Sequence, residues 1–163
     1  MNYAEWYVRR TGERLAETTR AAWARLEEKA AFATKERPLD IFVLAQDSTS
    51  PRLDDEHAVI DVRTRWLSAE ARNLYNIWQV TGVDFDVQAV LAGQPGTPEL
   101  LCQACRLIEL QELTTFTFVC AHATHRSCGC ALLLAILVYH NARIVFSSNR
   151  TERAARERGM LPV

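Results

Sequence analysis

The chain reads as an α/β domain, a three-layer sandwich around a mainly parallel sheet of about four to five strands, preceded by an N-terminal helical segment. Three observations predict this. Four short β-rich runs, at residues 39–45, 57–62, 115–119 and 143–146, are separated by stretches with the apolar spacing of helices. The first run, LDIFVLA, is apolar at successive positions rather than alternating, as in a strand covered on both faces. The last two runs flank the apolar segment 131–138, which gives the order strand, tight loop, helix, strand of a right-handed βαβ unit. The expected division is a helical segment at residues 1–37 and an α/β domain at 38–163.

The totals agree. With 163 residues and 48 % apolar side chains the chain can bury one full core and is not of a disordered type. Its longest unbroken apolar run, 131–139, is about half the length a bilayer crossing needs, so no membrane span is expected. The start MNYAEWYVRR lacks the charged-then-apolar order of a secretion signal. A net charge of −1 supplies no global attraction to nucleic acid or lipid. Within the cations, 17 are Arg and 2 are Lys; Arg suits forked phosphate contacts, and genome composition explains such a bias equally well. Five cysteines, an odd number, predict free thiols in a reducing, cytoplasmic setting. Cys102 and Cys105 form one group, and Cys120, Cys128 and Cys130 another; each can be a reactive thiol, a metal ligand or a small buried hydrophobe.

Taken in order, residues 3–33 are rich in Ala, Glu, Arg and Leu, and Trp6, Leu15, Trp23, Leu26 and Ala30 recur at near-helical spacing. Such a helix packs on the domain or offers a face to a second copy or another protein. Arg37-Pro38 ends it, because the residue before proline is driven out of the helical region. The first strand follows, then the polar loop 46–56, then the strand at 57–62 ending in Arg63. Residues 64–77 read as loop plus helix, and 80–87, VTGVDFDV, as a short strand or ordered loop carrying Asp84 and Asp86. Thr97 is placed to cap a helix with Pro98 at its first position, running to Leu113. After the βαβ unit, an Arg/Glu-rich helix runs from Thr151 to Gly159.

The chemistry concentrates at residues 120–127, CAHATHRS. A cysteine and an arginine with five residues between them are the working parts of cysteine-dependent phosphatases. Attack requires a thiolate, and a loop of N–H groups entering a helix N-terminus favours one. The same N–H groups cradle an oxyanion, and an arginine at the loop rim grips two of its oxygens. In this assignment Cys120 is the nucleophile, Arg126 the clamp and Ser127 a donor to the thiolate. Asp84 or Asp86 is the general acid towards the leaving oxygen. His122, Thr124 and His125 of the loop, with Arg63, complete the expected binding residues. No cofactor or metal is called for by this chemistry, and the substrate would be a phosphorylated or sulfur-bearing small molecule or protein.

The stretch 59–146 resembles the rhodanese fold. Ile60-Asp61-Val62-Arg63 corresponds to the strand end Asp-x-Arg with which that family opens, and 116–146 to its later strand, active cysteine, loop, helix and strand. The cell-cycle phosphatases that share the fold have five residues between cysteine and arginine, as here, and the sulfurtransferases one fewer. A bacterial and phage branch also carries a Val-Asp-Val-Arg-like strand end and a late Cys…His-Arg, matched by Cys120 and His125-Arg126. The resemblance implies that Cys120 carries a phosphoryl or sulfane group and that Arg126 binds the oxyanion. The chain departs from the pattern in having no glycine in residues 121–125 and no Glu and Gly-His segment within 64–77.

Two other assignments compete. Cys120, His122, His125, Cys128 and Cys130, with Cys102 and Cys105, are ligand types dense enough for zinc, which would make the protein a binding or regulatory module. The helical pattern around Cys102 and Cys105, and the placing of Cys128 and Cys130 on different sides of a helix, argue against it. The tail 141–160, a strand and an Arg-rich helix, resembles the last βα unit of PIN-like nucleases. Asp47, Asp61, Asp84 and Asp86 would then supply metal ligands, but Ser147-Ser148-Asn149 lacks the acid usual there. Nucleic acid is therefore a partner not favoured.

Overall fold

The computed structural model describes residues 30–46, 58–63, 81–84, 96–120 and 125–157, together with positions 21, 24, 27, 28, 87, 88, 91 and 94. A single 3₁₀ turn at Ala30–Phe32 leads into strand β1, Asp40–Ala45. Strand β2, Val59–Asp61, helix α1, Thr97–Leu110, and strand β3, Thr115–Cys120, follow. Helix α2, Arg126–Leu137, strand β4, Arg143–Phe146, and helix α3, Asn149–Glu157, complete the described elements. The strands form one sheet in the order β2-β3-β1-β4, and every pairing is parallel. The α/β prediction is correct, with four strands among the described residues.

Register explains why these residues form this sheet. Ile41 lies opposite Phe116 and Ile144, and Val43 opposite Phe118 and Phe146. Ile60 completes the second row against Phe118. Aligned residues of parallel strands share a face, so two apolar rows cross the sheet. Ile41, Val43, Ile60, Phe116 and Phe118 are fully buried there, with the two Phe rings edge to face at 5.3 Å. Helix α2 lies across β3, β1 and β4 and is buried from Ser127 through Leu134. That explains the fate of Cys128 and Cys130. They leave the helix axis in different directions and are nevertheless both fully buried, because the first half of α2 is covered all round. The βαβ unit is not a pair of neighbours either, since β1 lies between β3 and β4.

Several local expectations change. Thr97 does not cap α1: its hydroxyl turns back and donates to the Leu91 carbonyl at 2.6 Å, fully buried, and Gly96 occupies the cap position. Helix α1 stops at Leu110 rather than Leu113, because the Leu113 N–H returns to the Ile108 carbonyl and the Glu112 N–H to that of Glu109. This is the double closure of a Schellman end, and it puts Glu112 in the left-handed region with φ 50°. Glycine is the residue such a position favours, so Glu112→Gly is expected to stabilise the fold by about 1 kcal/mol, read as a raised urea midpoint. Helix α3 begins two residues before Thr151, whose buried hydroxyl donates to the Ser148 carbonyl at 2.9 Å. Of the two readings for 80–87, the described residues 81–84 agree with the ordered loop, forming a turn. The N-terminal periodicity at Trp6, Leu15, Trp23 and Leu26, and the loop-plus-helix at 64–77, lie outside the described residues.

At the last turn of α1 the Glu109 carboxylate collects donors from three places. It accepts from the Thr34 N–H at 2.9 Å and the Thr34 hydroxyl at 3.2 Å. Arg37 approaches with Nε at 3.3 Å and Nη2 at 2.7 Å, and the buried Tyr139 hydroxyl lies at 2.9 Å. Burial by itself would raise the pKa of this carboxyl. The bonds from Arg37, Thr34 and Tyr139 outweigh it and bring Glu109 down to about 2. This knot ties the segment before β1 to α1 and to the residue just past α2.

Candidate functional site

Parallel pairing brings the carboxyl ends of β1, β2 and β3 to one edge of the sheet. The connection from β1 runs outward to β2 at the margin, past β3, whereas that from β3 runs the other way to β4, past β1. The switch in direction therefore falls between the ends of β1 and β3, where open α/β sheets bind their ligands. Pairing continues just beyond the strands: the Gln46 N–H donates to the Cys120 carbonyl at 3.0 Å, and the Val62 N–H to that of Val119 at 2.8 Å. Leu44 and Ala45 are exposed at this end of β1, while Phe118, Val119 and Cys120 of β3 are all buried.

Cys120 is the last residue of β3, with 3 % of its surface exposed. Its Sγ lies 2.9 Å from Oγ of Ser127, a fully buried hydroxyl on the first turn of α2, and either atom can donate. The helix opens with the Gly129 N–H on the His125 carbonyl at 2.8 Å, and His125 offers no side-chain cap. Residues 121–124, with His122 and Thr124, lie outside the described residues, as does Asp86.

Arg126 is the first residue of α2 rather than a residue of the loop. Its Nη1 donates to the Val62 carbonyl at 3.2 Å and also to the Arg63 carbonyl, so the guanidinium is anchored on the end of β2. Arg63 is bound to Asp61: Nε lies 3.1 Å from each carboxylate oxygen, Nη2 lies 2.7 Å from Oδ2, and the Arg63 N–H donates to Oδ1 at 3.0 Å. Both side chains are almost wholly buried, at 6 % and 1 % exposure. Asp84 sits in the 81–84 turn, where its Oδ2 accepts from the Thr81 N–H at 2.7 Å. The Gln88 amide donates to the carbonyls of Gly82 and Val83 and stiffens the turn.

Glycine explains how that turn reaches α2. A Cβ on Gly82 would stand 2.4 Å from the Gly129 nitrogen and 2.7 Å from both the Cys128 Cβ and the His125 oxygen. Only a residue without a side chain lets the turn lie against the opening of α2. Cys120, Ser127, Arg126, Arg63 and Asp84 are thus gathered around the ends of β2 and β3 and the start of α2.

The other thiols divide cleanly. Burial pushes the Cys105 thiol up to about 12, with nearby Cys102 adding to the rise. Burial also raises Cys128 and Cys130, with Cys120 adding to both and Asp84 to the first. Cys105, Cys128 and Cys130 therefore stay protonated at neutral pH and serve as packing groups. Among the described residues, no three His, Cys, Asp or Glu side chains are grouped to hold a metal ion. Of the acids named for a nuclease site, Asp61 is bound by Arg63 and Asp84 by Thr81, and Asp47 lies outside the described residues. Among the described residues, no helix is long and apolar enough to cross a membrane.

Sequence reasoning passed over two groups. The Asp61 carboxylate was named within Asp-x-Arg and as a nuclease metal ligand but not as the partner of Arg63, and the Gly82–Gly129 contact had no local signal beyond two isolated glycines. No protein-family model matches the chain, and no curated protein or solved structure matches it significantly, so the chemistry of the site is read from its own geometry.

Proposed function

We propose that residues 120–127 form the oxyanion site of a cysteine-dependent phosphatase or sulfurtransferase, in line with the rhodanese-like resemblance of the sequence. The observation that carries this reading is the 2.9 Å contact between Cys120 Sγ and Ser127 Oγ, at the sheet's switch point and the start of α2. The Ser127 hydroxyl is placed to donate to the sulfur, and both lie where β3 hands over to the first turn of α2. Arg126, tethered through Nη1, presents its Nε–Nη2 edge as the fork for two oxygens of a tetrahedral anion.

With a phosphoester, the Cys120 thiolate attacks phosphorus as the ester P–O bond breaks. Asp84 donates its proton to the departing oxygen. Water then attacks the thiophosphate, its proton passes to Asp84, and phosphate leaves with the thiolate restored. With a sulfane donor, the outer sulfur moves to Cys120 as a persulfide and the donor leaves as its anion. A thiophilic acceptor then takes that sulfur and regenerates the thiolate.

The test is alkylation of the folded protein by iodoacetamide, followed for each cysteine by mass spectrometry. At pH 7 Cys120 is expected to react about tenfold faster than the other four thiols. Vanadate should slow it, and Arg126→Ala should remove that protection. The near-complete burial of Cys120 favours a second reading, a non-catalytic binding or regulatory protein in which the thiol–hydroxyl pair only packs α2 on β3. Labelling of Cys120 no faster than that of Cys102 would decide for this second reading.

A further inference from the structure

We infer that Asp61 is a positioning residue for Arg126, acting through the backbone of Val62 and Arg63; the inference rests on the oxyanion reading of residues 120–127. Asp61 is the last residue of β2, and its side chain is 1 % exposed. In an extended strand successive carbonyls point to opposite sides, so two neighbouring carbonyls cannot meet one donor. Here they do, since Val62 and Arg63 both offer their oxygens to Nη1 of Arg126.

The bend that permits this is closed by Asp61. Its Oδ1 accepts the Arg63 N–H at 3.0 Å, a carboxylate-to-backbone turn two residues on. The same carboxylate holds the Arg63 guanidinium through Nε at 3.1 Å and Nη2 at 2.7 Å. One acid therefore does two things. It folds the chain so that two carbonyls converge, and it neutralises one of two arginines brought together at the end of β2. With Nη1 fixed on the end of β2, the Arg126 guanidinium is held in place at the first turn of α2, and anion binding need not order a free side chain. Asp61 and Arg63 touch neither the sulfur nor the substrate in this account.

The experiment uses the full chain and compares wild type with Asp61→Asn and Arg63→Lys. Asparagine keeps an acceptor for the Arg63 N–H but loses the charge, and lysine keeps the charge but loses the fork. Two readouts are taken. Guanidinium NMR of Arg126 reports its order directly and needs no anion; the Arg126 Nε–H signal, assigned through its loss in Arg126→Ala, should broaden or shift in both variants. Protection of Cys120 from alkylation by vanadate should weaken about tenfold in both. An Arg126 signal and a vanadate protection unchanged in both variants would overturn the positioning role and leave the oxyanion reading standing. A wild type whose Cys120 is not protected by vanadate would overturn both. Should Asp61→Asn fail to fold, Arg63→Lys alone decides by the same two readouts.

Discussion

Gly82→Ala is expected to lower stability by about 3 kcal/mol, near the upper end for overpacking, and to abolish preferential labelling of Cys120. The added Cβ would meet the Gly129 nitrogen at 2.4 Å, the Cys128 Cβ at 2.7 Å and the His125 oxygen at 2.7 Å. None of these is the end of a flexible side chain. Relief requires either the turn or the first turn of α2 to move, and the Cys120–Ser127 contact spans the same first turn. Gly129→Ala is the informative control. Its Cβ would meet Leu91 Cδ1 at 2.2 Å, a side-chain end that can rotate, and alanine returns about 1 kcal/mol of helix propensity. It should cost less than half as much. Urea unfolding of the two variants measures this, and equal losses would contradict the close approach of Gly82 to the α2 backbone.

Glu109→Ala is expected to cost about 2 kcal/mol for the buried Tyr139 hydroxyl left without its acceptor, with a further loss as Thr34 and Arg37 are released. A carboxylate in the last turn of a helix is opposed by the helix dipole, so only its donors keep it there. The pH dependence follows from the same contacts. The folded pKa lies at about 2, below the ordinary glutamate value, so the folded state favours the charged form. That stability is complete above about pH 5, where the unfolded chain is also ionised, and is lost as pH falls towards 2. Unfolding midpoints from pH 6 to pH 2 should therefore fall more steeply in wild type than in Glu109→Gln. Parallel curves would show that Glu109 is not held as the structure has it.

The strands were legible because their signals are local. Residues 39–45, 115–119 and 143–146 carry runs of apolar and β-branched residues, and each became a strand within a residue of its expected start. The contact of Cys120 with Ser127 was legible too, since a strand feeding a cysteine and a helix starting six residues later leave the chain little choice. The end of α1, the start of α3 and the role of Thr97 were not. A threonine before Pro-Glu looks like a cap from the sequence, and only the position of the Leu91 carbonyl turns its hydroxyl backwards. Both neighbours of α2's cysteines were likewise invisible, so Cys128 and Cys130 read as lying on separate sides although each is buried.

What the sequence determined by itself was the class of fold, the alternation of strand and helix, and the set of side chains offered at residues 120–127. Those depend on side-chain type and spacing along the chain. The tertiary structure decided the rest: β1 inserted between β3 and β4, Arg126 tied to the carbonyls of Val62 and Arg63, Arg63 bound to Asp61, and Gly82 laid against α2. Each of these joins residues brought together by parallel pairing or by a close backbone approach. Strand order and such approaches are set by how whole faces pack, and no local pattern of residues encodes them.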